Sequence, residues 1–202
     1  MRPQYSITGD DLISFKPCYG GSKLKALLAL FRTRPYWTWR EIAALEQYPP
    51  ADRLWLLLRP ELIAEPTLHT LSCDFAEYTL ELERAAGRDP DPRLWAAVAT
   101  KRRWIAGAAS DAELTEALQA AWRAWSIRWP AGARTASMAT WNATVATWNA
   151  TAATWEAAWN TAAATWEASW NAAATRNAAE AAQTATRTAM LAHVVKTLED
   201  GD

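Results

Sequence analysis

The stretch Thr140–Asn171 reads TWNATVATWNATAATWEAAWNTAAATWEASWN, and the positions of its tryptophans decide the fold. Trp141, Trp148, Trp155, Trp159, Trp166 and Trp170 are separated by 7, 7, 4, 7 and 4 residues. Such steps bring a helix back to nearly the same angle. At about 100° per residue, the six indoles fall within an arc of roughly 60°. The later pairs repeat at 11 residues, and a mixture of heptad and hendecad spacing favours a nearly straight helix over a strongly supercoiled one.

The surrounding composition agrees. Between Arg134 and Glu199 there is no Gly and no Pro, and Ala, Thr, Trp and Asn dominate. Ala has the best helix propensity and Thr costs only tenths of a kcal/mol per residue, so helix is the regular structure this run prefers. The recurring Thr-Trp-Asn and Thr-Trp-Glu phrases mark an internal, low-complexity repeat. If unbroken, residues 134–199 would extend about 99 Å at 1.5 Å per residue. The alternative is a break around Thr175-Arg176-Asn177, where the stripe ends and polar content rises.

Each Trp can bury roughly 150–250 Å², so six offer on the order of 1,000 Å² of apolar surface. At the usual coefficient that is worth about 25 kcal/mol gross. Soluble monomers rarely leave so large a patch in water. The stripe is therefore expected to meet the helices that precede it, a second copy of the chain, or a protein partner.

Upstream, residues 1–130 read as a body of several helices. From residue 1 to about 60, short helices are expected between Lys16-Pro17, Gly20-Gly21, Arg34-Pro35, Pro49-Pro50 and Arg59-Pro60. Leu24, Leu27, Leu28, Leu30 and Phe31 give one amphipathic helix. The capping-box form Thr38-x-x-Glu41 starts a second, expected to end near Tyr48, and a third carries Leu54 to Leu58. Pro66 suits a helix first turn, after which Leu68, Leu71, Phe75, Tyr78, Leu80 and Leu82 keep an apolar face up to Gly87. The linker Arg88-Asp89-Pro90-Asp91-Pro92 stops that helix.

A helix over about 93–105 follows, with Trp95, Val98 and Trp104 inward and Lys101, Arg102 and Arg103 on its far side, ending at Gly107. Ser110-x-x-Glu113 is a second capping box. Its helix carries Leu114, Leu118, Trp122 and Trp125 and stops near Trp129, ahead of Pro130 and Gly132. The expected fold class is all-α: a multi-helix body over 1–130, then a long Trp-striped helix over 134–199 that packs on the body or on another chain.

Composition narrows the function. The chain has 202 residues, 50% of them hydrophobic, which is enough for a real core. Its formal net charge is -1, so no basic field attracts polyanions. Between Thr135 and Thr175 there is no Lys or Arg, only Glu156 and Glu167. Indoles could stack on single-stranded bases, but the phosphates would find no cations, and a membrane-surface helix would lack its basic flank. No nucleic-acid or membrane partner is expected.

Cys18 and Cys73 match neither a disulfide framework nor paired zinc-ligand spacing. They read as reduced thiols, which with the lack of an apolar leader points to a cytoplasmic location. The sequons at Asn142 and Asn149 read as by-products of the repeat.

Candidate chemistry is sparse. His69, Cys73 and Glu77 sit at i, i+4 and i+8 on one helix, but one helix does not surround an ion, and only His193 could add an imidazole. Gly20-Gly21-Ser22-Lys23 lacks the first glycine of a phosphate-binding loop. No enzyme and no cofactor are expected. A small-molecule site or enzyme using Cys73 and His69 ranks below the interaction readings.

Several segments resemble a known group. Asp91-Pro92-Arg93 leads to Lys101-Arg102-Arg103-Trp104-Ile105-Ala106-Gly107, then Ser110-x-x-Glu113-Leu114 and Ala120-Ala121-Trp122-Arg123-Ala124. Upstream are Asp52-Arg53-Leu54-Trp55 and Cys73-Asp74-Phe75-Ala76-Glu77. Across residues 50–130 the chain is similar to small helical bacterial and phage-encoded proteins, some of them assigned as immunity proteins of polymorphic toxin systems. The Trp/Thr/Asn repeat is more regular than in that group.

The resemblance implies a non-enzymatic, protein-binding role. The expected function is an interaction factor, either an immunity-type inhibitor or a phage accessory protein, that occludes or sequesters a partner. The alternative is a structural protein that self-associates through Trp141–Trp170. The six stripe tryptophans are the expected interaction residues, with Arg102 and Arg103 secondary.

Overall fold

The structure is a computed structural model, and it describes residues 4–15, 17, 21–85, 87, 89–127 and 176–201. Helices take 73% of the interpretable residues and the only strands among them form one small pair, so the described part of the chain is mostly helical, as its composition predicts. The six stripe tryptophans and the stretch 128–175 lie outside the described residues.

The chain opens with β1 (Ser6–Ile7), which pairs antiparallel with β2 (Trp37–Thr38) in the register Ser6 to Thr38 and Ile7 to Trp37. This two-residue ladder was not foreseen. It ties the first residues to the start of the third helix. Between its strands lie α1 (Gly9–Ser14) and α2 (Gly21–Phe31). Phe31 stacks on Trp37 with centroids 4.9 Å apart, and the Trp37 indole N–H donates to the Phe31 carbonyl at 3.2 Å.

Helix α3 (Trp39–Ala43) begins where the Thr38-x-x-Glu41 motif predicts. The Glu41 carboxylate accepts from the Thr38 N–H at 2.8 Å and from its hydroxyl at 2.9 Å. The helix is shorter than expected, ending at Ala43 rather than near Tyr48. Local turn bonds such as Tyr48 N–H to the Leu45 carbonyl carry the chain to Pro49. Helix α4 (Pro50–Leu57) starts earlier than its leucines suggested, because Pro50 occupies the first turn, where its missing N–H costs nothing.

The 21-residue α5 (Glu65–Ala85) is the spine. Its buried residues divide between two hydrophobic clusters. Leu68, Leu71 and Phe75 join the larger one, which gathers α1 to α4. Cys73, Ala76 and Leu80 join a second with Leu94, Ala97, Val98 and Ala121. Tyr78, expected on the apolar face, is instead among the exposed large side chains.

Gly87 takes φ +76° after α5, a left-handed turn that suits glycine. Asp91 caps α6 (Pro92–Ile105) by accepting from the Arg93 N–H at 3.0 Å. Ser110 and Glu113 form the full reciprocal box that starts α7 (Asp111–Ile127). Helices α6 and α7 pack side by side, with small residues Ala97 and Ala121 at their contact and Trp104 covering Leu114 and Leu118.

The last helix, α8 (Arg176–Gly201), covers the end of the expected 134–199 helix and runs two residues beyond it. Met190, Leu191 and Val194 bury one stripe into the larger cluster, against α3 and α4. Whether one helix runs continuously from 134 falls on residues outside those described.

Candidate functional site

Two polar clusters lie along α5 where other helices cross it. The first faces α6. Lys101, placed on the far side of α6 by the sequence reading, is fully buried. Its register explains this: Leu94, Val98, Lys101 and Ile105 lie at i, i+4, i+7 and i+11, one face of a helix. The Lys101 Nζ sits 3.0 Å from His69 Nδ1 and 4.1 Å from the centroid of the Trp104 ring, so an imidazole nitrogen and a π face share its charge. The His69 ring meets Trp104 edge-on at 5.3 Å, and its Nε2 lies 3.9 Å from Glu65 Oε1.

Burial decides the ionisation of this cluster. It pulls Lys101 down to about 8, with Cys73 and Glu65 opposing. It holds His69 down to about 4, helped by the Lys101 charge. It pushes the Cys73 thiol up to about 12, against the pull of Arg102 and Lys101. A fully buried thiol raised that far is the opposite of an activated nucleophile.

The second cluster joins three helices. Arg102 of α6 donates to Glu77 through Nε at 2.8 Å and NH2 at 2.6 Å, and NH2 also reaches Asp74 Oδ1 at 2.6 Å. Hydrogen bonds to Glu77 first, and to Asp74 as well, raise the Arg102 pKa above its ordinary value. The other Asp74 oxygen, Oδ2, lies 2.6 Å from His193 Nε2 on α8. One carboxylate on α5 thus holds α6 on one side and α8 on the other.

Beside His193, a cleft of about 300 Å³ opens between α5 and α8, lined by Asp74, Phe75, Tyr78, Ala189, Met190 and His193. It is at the small end of ligand-sized pockets, apolar on most sides with the Asp74–His193 hydrogen bond at its edge.

The sequence candidates therefore fare unevenly. His69, Cys73 and Glu77 do share α5, but His69 faces Lys101 and Glu77 is held by Arg102. No group of three His, Cys, Asp or Glu able to hold a metal occurs among the described residues. Arg102, expected as a secondary contact residue, is committed to Asp74 and Glu77. Arg103 is more exposed and reaches Glu113 at 3.1 Å and the Ala108 carbonyl at 2.9 Å. Cys18 lies outside the described residues.

The sequence reading missed the Asp74–His193 pair, whose members are 119 positions apart, and the buried Lys101, whose register was visible. Among the described residues, no helix is long and apolar enough to cross a membrane. No protein-family model, curated protein or solved structure matches the chain, so the functional reading rests on its own residues.

Proposed function

We propose that this chain is a non-enzymatic protein-interaction factor whose helical body holds both flanks of a tryptophan-rich segment and offers the indole stripe to a protein partner. The observation that carries this reading is the anchoring of both flanking helices. Helix α7 is fastened through buried Ala121 and Ala124, and α8 through Met190, Leu191 and Val194. Residues 128–175 are thus bracketed by two helices fixed in the body, and their sequence carries six tryptophans at helix-face spacing.

The mechanism is steric: a bracketed apolar face occludes or sequesters what it binds. Within this proposal, an inhibitor or accessory role is the form that the motifs of residues 50–130 suggest. The buried, proton-holding Cys73 weighs against thiol chemistry.

Capture of partners from the native host tests the reading. Wild type is expected to retain a specific protein that the Trp148→Ala/Trp155→Ala/Trp159→Ala variant loses. Equal capture by both would overturn it. Solution mass separates the self-association alternative, since a chain that dimerises through the stripe loses its dimer in the same variant.

A further inference from the structure

The chain has two histidines, and both sit where α5 meets another helix, in surroundings of opposite charge. His69, on α5, has the Lys101 ammonium of α6 at 3.0 Å. His193, on α8, has the Asp74 carboxylate of α5 at 2.6 Å. We propose that the His69–Lys101 junction is a proton-sensitive latch: acidification releases α6 and α7 from α5, while α8, buried through Met190, Leu191 and Val194, keeps its hold.

The latch follows from sign and burial. His69 is 9% exposed and Lys101 0%. A proton added to His69 would set two cations at hydrogen-bond distance inside the protein, where their repulsion is weakly screened. Glu65, the nearest acid on the same helix, stands 3.9 Å from Nε2 on a side chain that is 64% exposed, so water takes up much of its compensating charge. Trp104 offers its ring, and Cys73 keeps its proton. The strain is relieved by admitting water between α5 and α6. Helix α7 follows α6, because Trp104 packs on Leu114 and Leu118 and its indole N–H donates to Asp111 at 2.7 Å.

The surroundings of His193 have the opposite sign. The His193 ring nitrogen faces Asp74, whose other oxygen accepts from Arg102 of α6, with Glu77 sharing that guanidinium. A proton on His193 meets a carboxylate and not a cation, so this junction carries no such repulsion.

Amide hydrogen exchange, followed by mass spectrometry on the full chain at pH 7 and pH 4 and corrected for intrinsic rates, tests the latch. In wild type, peptides from 92–127 are expected to exchange about tenfold faster or more at pH 4, while peptides from 186–201 keep their protection. His69→Asn retains an acceptor for Lys101 but cannot take the proton, and Lys101→Met removes the facing cation. Each is expected to lose most of the acceleration in 92–127.

Two results would overturn the proposal. One is simultaneous loss of protection in both regions of wild type, which is ordinary acid unfolding. The other is full acceleration persisting in the folded variants, which would assign the response to the carboxylates around Arg102. If one variant fails to fold, the other decides.

Discussion

Replacing Lys101 by Met puts the energetic cost of its buried charge to a quantitative test. Lys101 is fully buried and titrates near 8 in the fold, against an ordinary value of 10.5. A base whose folded pKa is lowered holds fewer protons in the fold than in the unfolded chain across that window. Stability therefore rises with pH between about 8 and 10.5. The 2.5-unit gap corresponds to about 3 kcal/mol at 1.36 kcal/mol per unit.

Cys73 works the other way: its thiol, raised to about 12 from 9, loses stability as pH climbs above 9. Both proteins keep Cys73, so its contribution largely cancels when wild type and Lys101→Met are compared at each pH. Urea unfolding at pH 7 and pH 10.5 reads the double difference. Wild type is expected to gain about 3 kcal/mol relative to the variant across that range. At pH 7 the variant sheds a buried charge but leaves His69 Nδ1 without its donor, at a cost of about 1–3 kcal/mol, so the two are expected to be close in stability there. A stability difference that stays flat from pH 7 to 10.5 would refute the burial of a strained ammonium at this junction.

Two further outcomes follow from the same clusters. Cys73 is expected to resist thiol reagents at pH 8 in the folded protein and to react at an ordinary rate in urea. Fast labelling of the native chain at this residue would show that it is not enclosed. Arg102→Ala is expected to cost about 1–2 kcal/mol, because the pairs with Asp74 and Glu77 are well formed yet partly open to water. In exchange experiments the loss should appear at both the α5–α6 and the α5–α8 junctions, and an effect confined to α6 would show that Asp74 does not couple them.

What could be read from the sequence is what is local. Thr38 and Glu41, or Ser110 and Glu113, are three positions apart and complete their boxes without help from the rest of the chain. The helix starts they predict are where the structure has them. The end of α3 was misplaced because a five-residue helix gives way to turns that only the Pro49-Pro50 pair hints at.

Long-range polar contacts were illegible for a physical reason. An uncompensated buried ammonium is costly, and the partner that Lys101 finds inside, His69, is 32 positions away. The spacing of Lys101 from Leu94 and Val98 already put it on the inner face, and the wheel was the better guide than the charge. His193 and Asp74, on α8 and α5, carry no sequence signal of their meeting. Tyr78 shows the converse, an aromatic residue near an apolar run that the second crossing of α5 leaves outside.

The proposed interaction role requires that the six tryptophans bind a partner and do not fill the core of the chain that carries them. The melting temperature of the Trp148→Ala/Trp155→Ala/Trp159→Ala variant measures this directly. A binding face predicts a midpoint within a few degrees of wild type, since large shifts accompany losses of several kcal/mol. Tryptophans that serve as internal core would each cost about 3–5 kcal/mol on truncation. A collapse of the midpoint, or a variant that no longer folds, would contradict the proposed interaction role.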